Sequence, residues 1–209
     1  MKFLFPAGGI VDHRFGIMTS PSHKGVPAGI VAGMEWGAEN ENFTKGFKPD
    51  VFFSWLDGMW TFRDKCLFVP APDVVGSATW TLVQYYAWKS CFQGWPIAYV
   101  AQDGQENLPL PGGFEVLFIG GSTEWKLGAG AIACIRRAQA IGKRIHIGRV
   151  NWVDRYDHFA GLPGSERFTC DGTRNRFDGV EKTVKAWAGY MERSRRQVRM
   201  PLLDGGCDG

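Results

Sequence analysis

The sequence contains few of the features that hold together a disulfide-bonded, metal-binding or membrane-spanning protein. Its cysteines form no C-x-x-C pair, and the five are Cys66, Cys91, Cys134, Cys170 and Cys207. An odd and dispersed set argues against a closed disulfide framework and favours a reducing compartment, so we expect a cytoplasmic protein. The histidines are equally scattered, which argues against a metal site: His13, His23, His146 and His158. We therefore expect neither a metal nor another cofactor.

Long apolar runs are also missing. The apolar stretch at residues 3–5 is too short for a signal peptide, and no later stretch approaches the length of a membrane span. Neither sign of charge is in large excess, because the net charge is only +3, which says little about an acidic partner. A chain of 209 residues with 44% hydrophobic and 22% charged residues can bury one core. We expect a single domain over residues 1–200 and a disordered tail at residues 201–209.

What the sequence does contain is a regular alternation of short apolar runs and helical patterns. Apolar runs occur at residues 3–5, 17–19, 28–36, 66–69, 97–101, 116–119, 145–147 and 168–170. Helical patterns are centred on residues 51–59, 77–92, 130–141, 153–160 and 180–191. This alternation predicts a parallel sheet of βα units. Seven or eight candidate strands favour an α/β fold of the small (β/α)8 TIM-barrel type with reduced or irregular helices, and an open doubly wound sheet is the alternative.

The polar residues that follow these apolar runs are the candidates for a site. Asp171 ends the last run and precedes Gly172. An ionised carboxylate at the end of a buried strand loses favourable hydration, so we interpret Asp171 as a nucleophile, with a turn cap as the alternative. Ligands meet parallel α/β folds at the carboxyl ends of the strands. The residues predicted to gather there are Glu39, Asp73, Gln102, Gly120, Gly121, Arg149 and Asp171.

Several segments resemble the tRNA-guanine transglycosylases, and more closely their short phage and bacterial relatives that place 7-deazaguanines in DNA. The resemblance spans roughly residues 30–180 and is clearest in Pro72-Asp73, in VAQDG at 100–104, in FIGGSTEWKLG at 118–128 and in CDGT at 170–173. It implies that Asp171 corresponds to the family's catalytic aspartate, which follows a late strand and attacks the sugar. It also implies a second acid that handles protons. Glu39 is the nearest match, although a glutamate stands there without the family's neighbouring glycines.

The same resemblance implies how the base is recognised. Asp73 resembles the acid that binds the guanine edge, Gln102 resembles the glutamine of a Val-Gln-Gly segment, and Gly120-Gly121 resembles the glycine pair whose backbone approaches the base. We assign Arg149 a contact with phosphate or sugar. The alternatives are a helix cap at Asp73, a turn at Gln102, a ligand-free loop at residues 120–121 and a structural ion pair at Arg149.

Two departures from the family concern the nucleic acid. The C-terminal zinc site of the tRNA enzymes has no counterpart in this sequence, which makes DNA a better match than tRNA. Four arginines follow the last helical pattern, where they either form a solvated helix face or contact phosphates: Arg193, Arg195, Arg196 and Arg199. The resemblance also allows a homodimer or an accessory protein, and a phage origin would place the protein in the host cytoplasm.

The residues themselves suit the exchange of a base on a sugar. A carboxylate that attacks the anomeric carbon replaces one difficult displacement by two easier ones, and a second carboxyl can donate and then recover a proton. A carboxylate and an amide, here Asp73 and Gln102, match the N–H donors of a guanine-like edge. The sequence therefore predicts replacement of guanine in DNA by a base of the 7-cyano-7-deazaguanine type through a covalent Asp171 intermediate. Hydrolysis of a nucleoside or N-glycosidic bond and a non-catalytic nucleobase-binding module are the alternatives.

Overall fold

Eight parallel strands close into a barrel in the computed structural model, which describes residues 1–8, 11–172 and 180–198. The strands are β1 (Lys2–Pro6), β2 (Gly16–Thr19), β3 (Trp36–Ala38), β4 (Cys66–Pro70), β5 (Ile97–Ala101), β6 (Val116–Ile119), β7 (Arg144–Ile147) and β8 (Thr169–Asp171). Each strand pairs in parallel with the next, and β8 pairs in parallel with β1 to close the ring. The predicted (β/α)8 barrel is confirmed, and an open sheet is excluded.

Helices occupy most of the connections between the strands. They are α1 (Ala28–Val31), α2 (Asn42–Lys45), α3 (Pro49–Gly58), α4 (Ala78–Trp88), α5 (Thr123–Leu127), α6 (Ala129–Ala140), α7 (Val153–Ala160) and α8 (Val180–Val198). Because α1 and α2 have only four residues each, the helical layer is reduced on that side of the barrel. The apolar run at residues 28–36 divides into α1 and the start of β3. Within the described residues, no helix has the length and apolar character needed to cross a bilayer.

Alternation along the strands separates two apolar layers. Every second side chain points into the barrel, where one cluster comprises Leu4, Met18, Phe68, Ala98 and Val116. The intervening side chains point outward and join the helices in a larger cluster. Space inside the barrel is limited, because a Cβ at Gly37 would lie 2.5 Å from the ring of Phe68. Most of the barrel interior is therefore filled by apolar side chains.

The last helix covers the seam between β1 and β8. Trp187 of α8 stacks on Phe3 with ring centroids 4.4 Å apart, and it contacts Tyr156 of α7 at 5.4 Å. This packing supports β8, in which Asp171 pairs with Leu4 of β1. The side chains of the predicted basic cluster at residues 193–196, together with Arg199 and the predicted tail at 201–209, lie outside the described residues.

Candidate active site at the carboxyl end of the barrel

A cavity of about 710 Å³ opens at the carboxyl ends of the strands. Its volume lies within the range of about 300–1,000 Å³ that is usual for small-molecule sites. On β5 and β6 the lining changes from an apolar residue inside the strand, Val100 or Phe118, to Gln102 or Gly120 just past the strand end. Six of the seven predicted site residues line it, and these are Glu39, Asp73, Gln102, Gly120, Arg149 and Asp171. Gly121, the seventh, follows directly and is hydrogen-bonded to two of them.

The carboxylate of Asp171 is held by one oxygen only. Oδ1 accepts a hydrogen bond from the backbone N–H of Arg149 at 3.0 Å and lies 3.1 Å from Nε2 of His146. Oδ2 has no hydrogen-bond partner among the residues that the structure describes. The side chain is 13% exposed, and that exposure is towards the cavity it lines. Asp171 therefore has a fixed orientation and one unengaged oxygen, as a nucleophile requires.

His146 is a site residue that the sequence did not reveal. It lies in β7 with its ring inside the barrel and no side-chain exposure, between Phe68 at 4.3 Å and Phe118 at 4.5 Å. Its Nδ1 lies 2.8 Å from the hydroxyl of Thr169 in β8. A polar residue within the apolar run Ile145-His146-Ile147 is the only signal that the sequence offers, and that signal identifies no partner.

Glu39, just beyond β3, has the electrostatic character of a proton-transfer group. Burial, followed by the negative charges of Asp171, Asp73 and Glu41, raises its pKa to about 7, although a hydrogen bond from the backbone of Glu41 opposes the rise. Its backbone N–H donates to the carbonyl of Thr19 at 2.8 Å, which fixes the end of the strand. A carboxyl with a pKa near 7 is present in both protonation states at neutral pH. It can therefore donate a proton and take one back.

Glu41, two residues further on, lines the same cavity in a different state. Its carboxylate accepts hydrogen bonds from the hydroxyls of Ser20 at 2.7 Å and Ser22 at 2.9 Å, and it pairs with Lys45 at 3.3 Å. Burial alone would raise its pKa, but these partners together lower the pKa below the ordinary value. Glu41 is therefore an ionised structural group, and Glu39 is the acid of this loop that suits proton transfer.

Asp73 and Gln102 form a network beyond the ends of the neighbouring strands β4 and β5. The amide Nε2 of Gln102 donates to Oδ2 of Asp73 at 2.6 Å, and Asn42 donates to Oδ1 of Asp73 at 3.1 Å. Burial raises the pKa of Asp73, while these two hydrogen bonds oppose the rise. The carbonyl Oε1 of Gln102 accepts from the backbone N–H groups of Gly76 at 3.1 Å and Gly121 at 3.0 Å. Gln102 thus holds Asp73 and two loops in place and keeps one amide hydrogen for a ligand.

The glycine pair after β6 is required by the packing of this network. A Cβ at Gly120 would lie 2.7 Å from Nε2 of Gln102, so only glycine leaves room for that amide. Gly121 has a φ of +70°, in the left-handed region that favours glycine, and a Cβ there would lie 2.5 Å from the ring of Trp125. The next residue, Ser122, donates its N–H to Asp103 at 2.8 Å, which anchors the turn.

Arg149 follows β7 and links the carboxyl ends of β6 and β8. Its backbone has a φ of 60°, an uncommon conformation for a residue other than glycine, and this conformation accompanies the N–H donation to Asp171. Its guanidinium donates to the carbonyl of Gly121 at 2.9 Å and lies 4.7 Å from the ring centroid of Phe43, an exposed residue of α2. The preceding carbonyl, of Gly148, accepts a hydrogen bond from the buried Lys126. Burial lowers the pKa of Lys126 to about 7.

Comparison with known proteins does not identify a family for this chain. No protein-family model matches the chain, and no curated protein matches it either. Within the described residues, no group of three or more histidine, cysteine, aspartate or glutamate side chains has the arrangement of a metal site. Inference about function therefore depends on the geometry and electrostatics of the cavity.

Proposed function

We propose that the protein is a base-exchange glycosyltransferase that replaces guanine in DNA with a 7-deazaguanine base through a covalent intermediate on Asp171. The observation that supports this most directly is the state of the two acids in one cavity. Oδ2 of Asp171 has no hydrogen-bond partner in the part of the chain that the structure describes, and the pKa of Glu39 is raised to about 7 by burial and by the neighbouring acids. Two carboxyl groups in unlike environments are the usual basis for dividing nucleophilic and acid–base roles in glycosyl transfer.

In the first half of the reaction, Oδ2 of Asp171 forms a bond to the anomeric carbon C1′ of the nucleotide. The C1′–N bond to guanine breaks, and its electron pair remains on the departing base. Protonated Glu39 supplies the proton that neutralises this base. The products are free guanine, a glycosyl ester on Asp171 and an ionised Glu39.

In the second half, the incoming 7-deazaguanine base gives its ring N–H proton to Glu39. The freed nitrogen attacks C1′, and the bond between C1′ and Oδ2 breaks with its electron pair returning to the carboxylate. Both acids are then in their starting states, so the cycle consumes no other reactant. The double displacement retains configuration at C1′.

The wall formed by Asp73 and Gln102 suits the base in both halves. The oxygens of Asp73 each accept one hydrogen bond from the protein, at 3.1 Å and 2.6 Å, and a carboxylate oxygen can accept a second from a guanine-like edge. Gly120 also lines the cavity, and because it has no side chain it presents only backbone to a flat ring. A nucleotide within duplex DNA has to leave its stack to enter such a cavity, and the exposed ring of Phe43 at the opening suits stacking against a base.

The test compares the wild-type protein with Asp171→Asn and with Asp157→Asn, an exposed acid of α7 that serves as the matched control. Each is incubated with a guanine-containing DNA oligonucleotide and labelled 7-cyano-7-deazaguanine. We expect incorporation of label and a denaturation-resistant protein–DNA adduct with the wild type and with Asp157→Asn, and neither with Asp171→Asn. Equal incorporation by all three proteins would rule the mechanism out.

Omitting the incoming base separates the remaining functions. Because ionised Glu39 could activate water as readily as a base, release of guanine without incorporation would identify an N-glycosidic hydrolase that uses the same intermediate. Tight binding of the base that is unchanged in Asp171→Asn, with no product by mass spectrometry, would identify a binding module instead.

A further inference from the structure

We propose that His146 is a positioning residue that holds Oδ1 of Asp171, and that Thr169 holds the His146 ring in place by donating a hydrogen bond to its Nδ1. The inference rests on the proposed role of Asp171 as nucleophile, and it assigns a role to two residues that make no contact with the base. Neither residue lines the cavity, so both act through Asp171.

The geometry is a chain of three side chains across neighbouring strands. Nε2 of His146 lies 3.1 Å from Oδ1 of Asp171, and Nδ1 of the same ring lies 2.8 Å from Oγ1 of Thr169. Thr169 and Asp171 are alternate residues of β8, so both point into the barrel and flank the ring that projects from β7. Both ring nitrogens are therefore engaged, and the rings of Phe68 and Phe118 prevent the imidazole from turning away.

The acceptor character of the carboxylate determines where the ring proton lies. An ionised carboxylate can only accept, so Nε2 must carry the hydrogen. Complete burial lowers the pKa of His146, and the positive charge of Lys126 adds to that effect while Asp171 opposes it, so the ring is neutral. Nδ1 is then an acceptor and takes the hydroxyl hydrogen of Thr169. The other acceptor near that hydroxyl, the carbonyl of Ile145, is 3.5 Å away and competes weakly.

Two donors on Oδ1 serve both halves of the proposed reaction. The His146 ring and the Arg149 N–H together fix the plane of the carboxylate, so Oδ2 is the oxygen that meets C1′. Once the ester has formed, Oδ1 is its carbonyl oxygen and keeps both donors. When the ester breaks, the same donors stabilise the negative charge that returns to the carboxylate, as donors do in an oxyanion site.

The competing interpretation is that His146 only fills the barrel interior. That role would be served equally well by an apolar side chain of similar size, and Thr169 would be indifferent to the loss of its hydroxyl. The two interpretations therefore predict opposite outcomes for replacements that preserve volume. Thr169→Val removes the hydroxyl with little change of shape, and Thr169→Ser keeps it, so this pair provides a matched test even if His146→Leu fails to fold.

The kinetic experiment measures the single-turnover rate of adduct formation and the KM for DNA. We expect His146→Leu to slow adduct formation by about 10–100-fold at unchanged KM, by analogy with the loss of a group that orients a ligand. Thr169→Val should slow it by a smaller factor, and Thr169→Ser should match the wild type. Because Thr169 acts through the ring, His146→Leu combined with Thr169→Val should be no slower than His146→Leu alone.

A second measurement does not depend on turnover. Nitrogen-15 chemical shifts of the His146 ring should show the neutral Nε2–H tautomer in the wild type and in both Thr169 variants, with a changed Nδ1 shift only in Thr169→Val, where that nitrogen loses its hydrogen-bond donor. A charged ring or an Nδ1–H tautomer in the wild type would overturn the inference. So would wild-type rates of adduct formation in a folded His146→Leu or in Thr169→Val. If the wild type forms no adduct, the proposed function fails, and the nitrogen shifts alone decide whether Thr169 and His146 hold Asp171 in this way.

Discussion

Two sets of polar groups in the cavity are stabilised to different extents. In one set, which we call the amide wall, Asn42, Asp73, Gln102 and Gly121 satisfy one another through hydrogen bonds. The other set is the acid pair of Glu39, beyond β3, and Asp171, at the end of β8. Oδ2 of Asp171 has no hydrogen-bond partner among the described residues, and burial together with neighbouring negative charges raises the pKa of Glu39 to about 7. Satisfied hydrogen bonds stabilise a fold and buried charge costs free energy, so the amide wall stabilises the fold while the acid pair opposes it. Reactive groups commonly reduce the stability of a protein in this way.

This contrast predicts two kinds of variant. Changes in the acid pair should reduce activity and leave the protein as stable as before, or more so. Changes in the amide wall should reduce stability first, and activity as a consequence. Each variant below is expected to show one behaviour and not the other, which makes the contrast itself testable.

The largest effect is expected for Glu39→Gln. Glutamine keeps the shape but cannot transfer a proton, so base exchange should fall by about 10²–10⁴-fold. The free energy of unfolding above pH 7 should not fall, because the buried charge and its repulsion by Asp171 are removed. Glu41→Gln is the matched control, since its carboxylate is already paired with serines and Lys45, and it should retain most activity. Equal losses of activity in both variants would refute the distinction.

Gln102→Met should show the opposite behaviour. Methionine has similar length but leaves the N–H groups of Gly76 and Gly121 and one oxygen of Asp73 without their partner. At roughly 1–3 kcal/mol for each buried unsatisfied group, partly relieved by water in the cavity, the free energy of unfolding should fall by about 2–4 kcal/mol. Urea denaturation measures this loss. A variant as stable as the wild type would mean that the network contributes nothing to the fold.

Gly120→Ala should have a smaller effect on the same wall. The added Cβ would lie 2.7 Å from Nε2 of Gln102 and 2.9 Å from Cγ1 of Val100, so the amide must move. Overpacking of this kind costs about 1–3 kcal/mol, and the affinity for the free base should fall with it. Gly112→Ala is the control, because a Cβ there meets nothing within 4 Å. Thermal unfolding and calorimetric titration with 7-cyano-7-deazaguanine would detect the difference, and identical behaviour of the two variants would count against it.

The pH dependence should be the mildest effect. The first half of the reaction needs protonated Glu39, so kcat/KM for DNA should fall as pH rises above the pKa of about 7, by about tenfold for each further pH unit. The free energy of unfolding should change with pH in the same direction as kcat/KM. The pKa of Glu39 is raised from 4.5, so its contribution is fully favourable below pH 4.5 and is lost as pH rises through about 7. Both dependences should disappear in Glu39→Gln, and a pH profile unchanged by that substitution would show that another group titrates.

The strand order and the gathering of the site residues could be predicted from the sequence because both follow from short-range patterns. Apolar runs alternate with helical periods, and parallel strands in a barrel end on one face, so residues as distant as Glu39 and Asp171 necessarily share it. Periodicity could not locate α5, which has five residues, nor divide the run at 28–36 into α1 and β3. An element of about one turn shows no repeat.

The partners within the site could not be predicted, because they depend on strand register. His146 contacts Asp171 only because His146 pairs with Thr169 across β7 and β8, and nothing in either segment specifies that pairing. Similarly, a sequence in which Gln102 and Asp73 are 29 residues apart does not show that they bond to each other. Sequence patterns identified the acids, whereas the burial and neighbouring charges that raise the pKa of Glu39, and the hydrogen bonds that lower the pKa of Glu41, required the folded barrel.

The position of Asp171 in the closing strand makes the order of folding relevant to chemistry. Strand β8 has three residues, and the same three residues complete the ring by pairing with Lys2, Phe3 and Leu4. A ribosome delivers β1 first and β8 last, so Asp171 can take up its place only after both ends of the barrel have met. If Asp171 is the nucleophile that we propose, a partly folded chain would lack it in its reactive position, and the proposed reaction with nucleic acid would begin only once the barrel had closed.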